Sequence, residues 1–371
     1  MPDVTIYFAT NRQPIQARGT GPITGFGSEL GPIGGMAVRF GSATVSVDLT
    51  SGTTSLVDGS LVVAPEQLTG AAGFKPRLGS RTIFTQILND MKANGRPTLA
   101  IIHGFSNTFT DAITRAGWIS AFYGIDANIF AFTWPSIGSP TPVPMPYTDY
   151  VHDRATAAAS GVALARTIQT LHDFVDSLPD AERCKQPIHL VCHSMGNYVL
   201  RHGVQELVNM TNRQAAGAAS GGGLQPMTFV DRAGSDPVRL RRTFGQIVLA
   251  AADEDDDAFD DPKKLGPLPR LAQAVTVYHT ERDWILNTLS AKTKFNGPRL
   301  GTDGPDNMAT ISDKVTAVDV SNVIDPAQDF ESHQYYRIFP AVRDDIVAVL
   351  GGDKPDKIPK RHAVSAGRWR L

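Results

Sequence analysis

The chain has 371 residues, 42% of them hydrophobic and 19% charged, with a formal net charge of -2. That length carries one large α/β domain or two ordinary ones, and the near-neutral balance gives no argument for nucleic acid or an anionic membrane as a partner. Two cysteines, Cys184 and Cys192, cannot build a disulfide framework, and a reducing compartment fits them.

The start, MPDVTIYFATNRQP, has no basic leader and carries Asp3, so it does not read as a signal peptide. No apolar run approaches the roughly 18 residues of a spanning helix. The expectation is a cytoplasmic protein without membrane insertion.

Residues 1–78 are rich in Gly, Ser and Thr. The alternating runs VTIYFAT (4–10), MAVRFGSATVSVDL (36–49) and SLVVAP (60–65) predict strands joined by turns, a β-rich N-terminal extension packed on the main domain. Near Phe84 the pattern changes. The runs TLAIIHGF (98–105), NIFAFTW (128–134), IHLVCH (188–193), GQIVLAAAD (245–253), AVTVYHT (274–280) and KVTAVDVS (314–321) are almost continuously apolar, as strands buried on both faces are. Helical patterns lie between and after them, over 110–122, 153–177, 195–208, 284–291 and 336–350. This order predicts a mostly parallel central sheet with helices on both faces, over a catalytic domain of 79–350. Residues 211–243, with AAGAASGGG, read as an exposed excursion, and 351–371 as a C-terminal tail that frays at the surface. No repeat at a period of about 20–50 residues is present.

The sharpest feature is IHLVCHSMGNYVL (188–200), which puts Ser194 where a buried strand gives way to a helix. The pattern approaches G-x-S-x-G, the nucleophile turn of an α/β hydrolase. Gly196 meets its demand for a small residue, and Cys192 stands where the first glycine is usual. The plainer alternative is a helix N-cap serine. An acyl-transfer serine needs a base, an acid that orients the base, and two N–H groups for the oxyanion. One N–H is that of Met195 at the helix start. The other is that of Phe105 in the turn after the 98–105 run, where Gly104 lets the backbone come close. The acid belongs after a later strand and the base after the last one. Asp283 and His333 hold those places, with a helix N-cap and a surface histidine as their ordinary alternatives. His193, His152, His172, His189, His202 and His362 lie on the turn, on helices, at a strand start or in the tail. His279 is the rival base, inside a strand. Asp253 is the alternative acid. It opens DEDDDAFDD (253–261), which reads as a solvated helix start or, through oxygen ligands, as a place for a hard cation; no metal site is assigned.

An apolar acyl or aromatic pocket is expected from His103, Gly104, Trp134 and Trp284 beside Phe105 and Met195, with core packing as the alternative for the tryptophans and loop anchoring for His103. The stretch from Asp253 to Ala274 has room for one helix, so no large cap domain is expected. Access is left to the loops at 139–150 and 292–307.

The segments YFATNR (7–12), IHGFSNTFTDA (102–112), FTWPS (132–136), HDRATA (152–157), HLVCHSMGNYVL (189–200), LAAADED (249–255), VTVYHTERDWIL (275–286) and SHQYY (332–336) together resemble the α/β-hydrolase family of unknown function DUF900, esterase/lipase-like proteins mostly from bacteria. The resemblance spans about residues 4 to 350, with Ala252 where a proline is common. It implies an α/β-hydrolase fold and a serine triad on Ser194, Asp283 and His333, and it names no substrate. The function expected is a cofactor-free serine hydrolase acting on small-molecule carboxylic esters. Amidase, lactonase or thioesterase chemistry on the same triad, or a non-catalytic binding protein of this fold, are the alternatives. The oligomeric state is not legible.

Overall fold

The structure, a computed structural model, describes residues 3–16, 21–66, 78–138, 147–219, 240–290 and 297–371. Six strands come first: β1 (Asp3–Thr10), β2 (Arg12–Gln16), β3 (Ile23–Leu30), β4 (Arg39–Asp48), β5 (Thr53–Leu56) and β6 (Val62–Val63). Helices and strands then alternate as α1 (Gly79–Asn94), β7 (Thr98–Ile102), α2 (Phe109–Tyr123), β8 (Asn128–Thr133), α3 (Tyr147–Asp176), β9 (Ile188–His193) and α4 (Gly196–Ala219). β10 (Phe244–Ala250), β11 (Ala272–His279), β12 (Val315–Asp319), α5 (Pro340–Leu350), β13 (His362–Ser365) and β14 (Arg368–Arg370) complete the chain.

One 12-stranded sheet runs in the order β13-β14-β12-β11-β10-β9-β7-β8-β1-β4-β5, with β6 on β4. From β14 to β1 every pairing is parallel. Successive residues of a strand point to opposite faces, and both faces are covered. Ile129 and Ala131 of β8 join a core with α2 and α5, while Phe130 and Phe132 join a second core with α1, α3 and α4. That is why these strands read as continuous apolar runs. The chain leaves β7 for β8 on one side and returns across it to β9 on the other. Ligand sites of open α/β sheets form outside the carboxyl ends of strands at such a reversal.

The structure departs from the sequence reading at several elements. α1 was not expected, although Ile83, Phe84, Ile87 and Met91 share a buried face at helical spacing. α4 continues to Ala219, so the excursion expected from 211 begins as helix; residues 220–239 lie outside the described residues. The helix expected over 284–291 forms over 284–290, but its last five residues, Leu286–Ser290, take a wider winding. The last helix starts at Pro340, where proline's fixed φ suits a first turn, rather than at 336.

The C-terminal tail does not fray. β14 pairs in parallel with β12, the Leu371 N–H donates to the Asp319 carbonyl (3.0 Å), and Arg370 pairs with the Asp319 carboxylate. Its basic residues masked β14, which sits between the edge strand β13 and β12, a partner about 50 positions earlier. Among the described residues no helix is long and apolar enough to cross a membrane.

Candidate active site

Ser194 directly follows β9 and has φ of +52°. That left-handed conformation costs an L residue about 1–2 kcal/mol, and the surroundings impose it. The Ser194 N–H donates to Ala250 O (3.0 Å), and Ser194 O accepts from the N–H groups of Asn197 (3.0 Å) and Asp253 (3.3 Å). The Asn197 side-chain amide adds a bond to the same oxygen (2.9 Å). Gly196 is required by close approach: a Cβ there would lie 2.6 Å from His103 O and 2.7 Å from Ile102 O, at the end of β7. Cys192 is fully buried among apolar side chains, and burial pushes its thiol well above the ordinary range.

Asp283 and His333 come together, although fifty positions separate them. His333 Nδ1 bonds Asp283 Oδ2 at 2.7 Å, and both side chains are buried. The other carboxylate oxygen accepts the Leu286 N–H (2.9 Å), so Asp283 also caps the turn that follows it. The carboxylate fixes the proton on Nδ1 and leaves Nε2 as the basic atom. Burial alone draws the His333 imidazole down, but the charge and hydrogen bond of Asp283, aided by Glu331 and Asp329, raise it above its ordinary value. His193 links this pair to the serine turn. Its Nε2–H donates to the His333 carbonyl (3.0 Å), and its ring lies 4.8 Å from that of His333 and 4.5 Å from that of Tyr336. Among the described residues the Ser194 hydroxyl makes no hydrogen bond, to His333 or elsewhere.

The loop after β7 faces the serine. A Cβ on Gly104 would sit 2.8 Å from Ser194 Cβ, so only glycine allows this contact. The Asn107 N–H donates to Ser136 Oγ (3.2 Å), and the Ser106 N–H to the Asp153 carboxylate. The N–H groups of Phe105 and Met195 have no protein acceptor among the described residues.

Two expected pocket residues turn inward instead. His103 is 3% exposed and Trp134 0%, with their rings stacked 5.2 Å apart. The Trp134 N–H donates to His103 Nε2 (3.2 Å), which puts the proton on Nδ1, and Nδ1–H donates to Gly104 O (2.8 Å). Burial, then the charge of Arg12, hold this imidazole well below its ordinary value and therefore neutral. His103 anchors the loop, and Trp134 packs behind it. Trp284 is 39% exposed, its ring 6.3 Å from that of the still more exposed Phe330. It stands at the surface beside Asp283.

Asp253 has other partners: Tyr150 Oη (2.6 Å) and Ser290 Oγ donate to its two oxygens. The acidic run forms turns rather than a helix, and its first members are not solvated. Asp253 and Glu254 are buried; Arg201 pairs with Glu254, Arg299 with Asp255, and Lys264 with Asp255 and Asp257. His279 stays in β11 with Nδ1 at Thr302 O (3.2 Å). Of the expected access loops, 139–146 and 292–296 lie outside the described residues.

Sequence reasoning missed the supports of the site: Arg12, Asn107, Ser136, Asp153 and Tyr150. One signal was visible, an arginine directly after the apolar run of β1 in YFATNRQP.

A parallel sheet wound on both faces, with a serine turn after a central strand and a His–Asp pair beyond later ones, is the architecture of an α/β hydrolase. Residues 80–351 match the model of one such family, described as an alpha/beta hydrolase of unknown function (DUF900), and the chain belongs to it. Among solved structures it is similar to phospholipase PlaB from Legionella pneumophila in complex with thio-NAD, at 11% identity and a TM-score of 0.22. That similarity covers 64% of this chain, which spans 41% of the phospholipase chain. No curated protein matches the sequence.

Proposed function

We propose that the protein is a cytoplasmic serine hydrolase that cleaves carboxylic esters with small to medium acyl or aromatic groups. Ser194 is its nucleophile, His333 its base and Asp283 the acid that orients the base. The observation that carries this reading is the strained serine at the end of β9, tied through His193 to a buried imidazole whose Nδ1 is held by a carboxylate at 2.7 Å.

Ser194 Oγ attacks the ester carbonyl carbon while its proton passes to His333 Nε2. The N–H groups of Phe105 and Met195 hold the tetrahedral oxyanion. Collapse breaks the bond to the alcohol oxygen, which leaves with the proton from His333. Water then adds to the acyl-enzyme through the same base, releasing the acid and restoring Ser194. Asp283 stabilises the imidazolium at each stage without accepting its proton.

The test is covalent labelling with a fluorophosphonate, with the modified residue identified, beside a chromogenic short-chain ester assay. Wild type should be labelled at Ser194 and hydrolyse the ester, and Ser194→Ala should lose about 10⁴-fold or more of the rate. A wild type that is neither labelled nor active overturns the reading.

A further inference from the structure

The N-terminal strand delivers a buried cation to the underside of the loop after β7. Arg12 is 1% exposed, and all five of its guanidinium N–H groups find acceptors. Nε–H donates to Thr133 Oγ1 (2.7 Å). One terminal nitrogen donates to Gly27 O (3.1 Å) and Ser136 O (3.3 Å), the other to Asn107 O (2.8 Å) and His103 Nε2 (3.5 Å). Burial draws the guanidinium down to about 9, which leaves it charged at neutral pH. Among the described residues no carboxylate pairs with it directly; Asp153 is reached through Ser136, whose hydroxyl donates to it. A charge buried on neutral acceptors is costly, so its placement needs a reason.

The peptide between Gly104 and Phe105 supplies one. A trans peptide points its oxygen and its N–H in opposite directions. The Gly104 oxygen accepts from His103 Nδ1–H (2.8 Å) and from the Asn107 side-chain amide (3.0 Å), which also donates to Phe105 O (2.7 Å). Two donors on one oxygen fix the peptide plane and so aim the Phe105 N–H. Arg12 holds both donors, Asn107 by its carbonyl and His103 by Nε2.

We propose that Arg12 is a positioning residue of the oxyanion hole: through Asn107 and His103 it sets the direction of the Phe105 N–H beside Ser194. This rests on the serine-hydrolase reading. It gives the N-terminal strands a part in the reaction, because the alignment of a donor that never touches Arg12 depends on them.

The experiment compares Arg12→Lys, Arg12→Met and Asn107→Ala with wild type. Fluorophosphonate labelling run to completion counts the competent Ser194 in each preparation. The readouts are kcat per labelled serine, KM, and the affinity of a boronic acid, which forms a tetrahedral anion on Ser194 Oγ. Arg12→Lys keeps the charge but loses the fork. Its kcat per labelled serine should fall about 10–100-fold, less than the 10²–10³ of losing an oxyanion donor outright. KM should stay near wild type, and boronate affinity should fall by the factor seen in kcat. Asn107→Ala should do the same, and adding Arg12→Lys to it should cost less than Arg12→Lys alone. Variants that lower only the labelled fraction, with kcat per labelled serine and boronate affinity unchanged, overturn the proposal, because Arg12 then serves folding alone. If the Arg12 variants do not fold, Asn107→Ala decides: unchanged kcat and boronate affinity overturn it. A wild type that is not labelled at Ser194 sinks the hydrolase reading itself, whereas labelled variants with unchanged chemistry sink only the role of Arg12.

Discussion

Asp283 and Asp253 are the same residue in nearly the same place. Each is buried beyond the carboxyl end of a strand, one after β11 and one after the adjacent β10. What separates them is the partner. Asp283 receives an imidazole N–H and a backbone N–H, whereas Asp253 receives two hydroxyls, from Tyr150 and Ser290. An imidazole can pass a proton onward from its far nitrogen at neutral pH; an alcohol or phenol held by a carboxylate cannot. Burial pushes the Tyr150 hydroxyl far above its ordinary range, and the charge of Asp253 pushes it further. So one carboxylate orients an imidazole, and the other is the fixed centre of a structural knot.

Exchanging each acid for its amide puts the difference to the test. Asp283→Asn should lower kcat by about 10⁴-fold, because the amide no longer holds the imidazole in the working tautomer; stopped assays on correctly folded protein would read this. The pH profile carries the next effect. The proposed reaction needs neutral His333, and Asp283 raises that group above its ordinary value of 6.5. Wild-type kcat/KM should therefore rise with pH through a value above 6.5. In Asp283→Asn burial remains and the carboxylate charge is gone, so the acid limb should move to lower pH. A limb that stays in place would assign the titration to another group.

Asp253→Asn should leave kcat within about tenfold and cost about 1–2 kcal/mol of stability, the scale of a disturbed buried hydrogen-bond pair. Denaturant titration beside the ester assay separates the two. A collapse of activity with intact folding would make Asp253 the acid after all. The smallest stability effect belongs to the serine turn. Ser194→Gly should be inactive yet more stable by about 1 kcal/mol, since glycine relieves the positive φ at Ser194.

The sheet was legible because it follows from a local pattern, continuous apolar runs, and the ends of those runs located Ser194 and Asp283 beyond β9 and β11. Asp283 shows how far such patterns reach. One of its carboxylate oxygens caps the turn that follows, and the other holds the His333 imidazole. His103 and Trp134 were placed at the right end of the sheet, but residue type alone does not say which way a ring points; their mutual stacking does. Arg12 and Asn107 stayed out of sight for another reason. The two lie 95 positions apart in the chain, and the arginine after the β1 run, the one local signal, does not point to FSNTF. The C-terminal strand was hidden the same way, its charged residues reading as solvent while its backbone joins β12 to the edge strand β13.

The parallel pairing of β1 with β8 has one more consequence, for how the molecule assembles. Thr10 and Thr133, 123 positions apart, meet at its end, and it joins the most sequence-distant neighbours in the sheet. Contacts of that separation are the slow ones in folding, because a long loop must close before they form. β1 leaves the ribosome before β8 and then waits for it, and Arg12 waits with it.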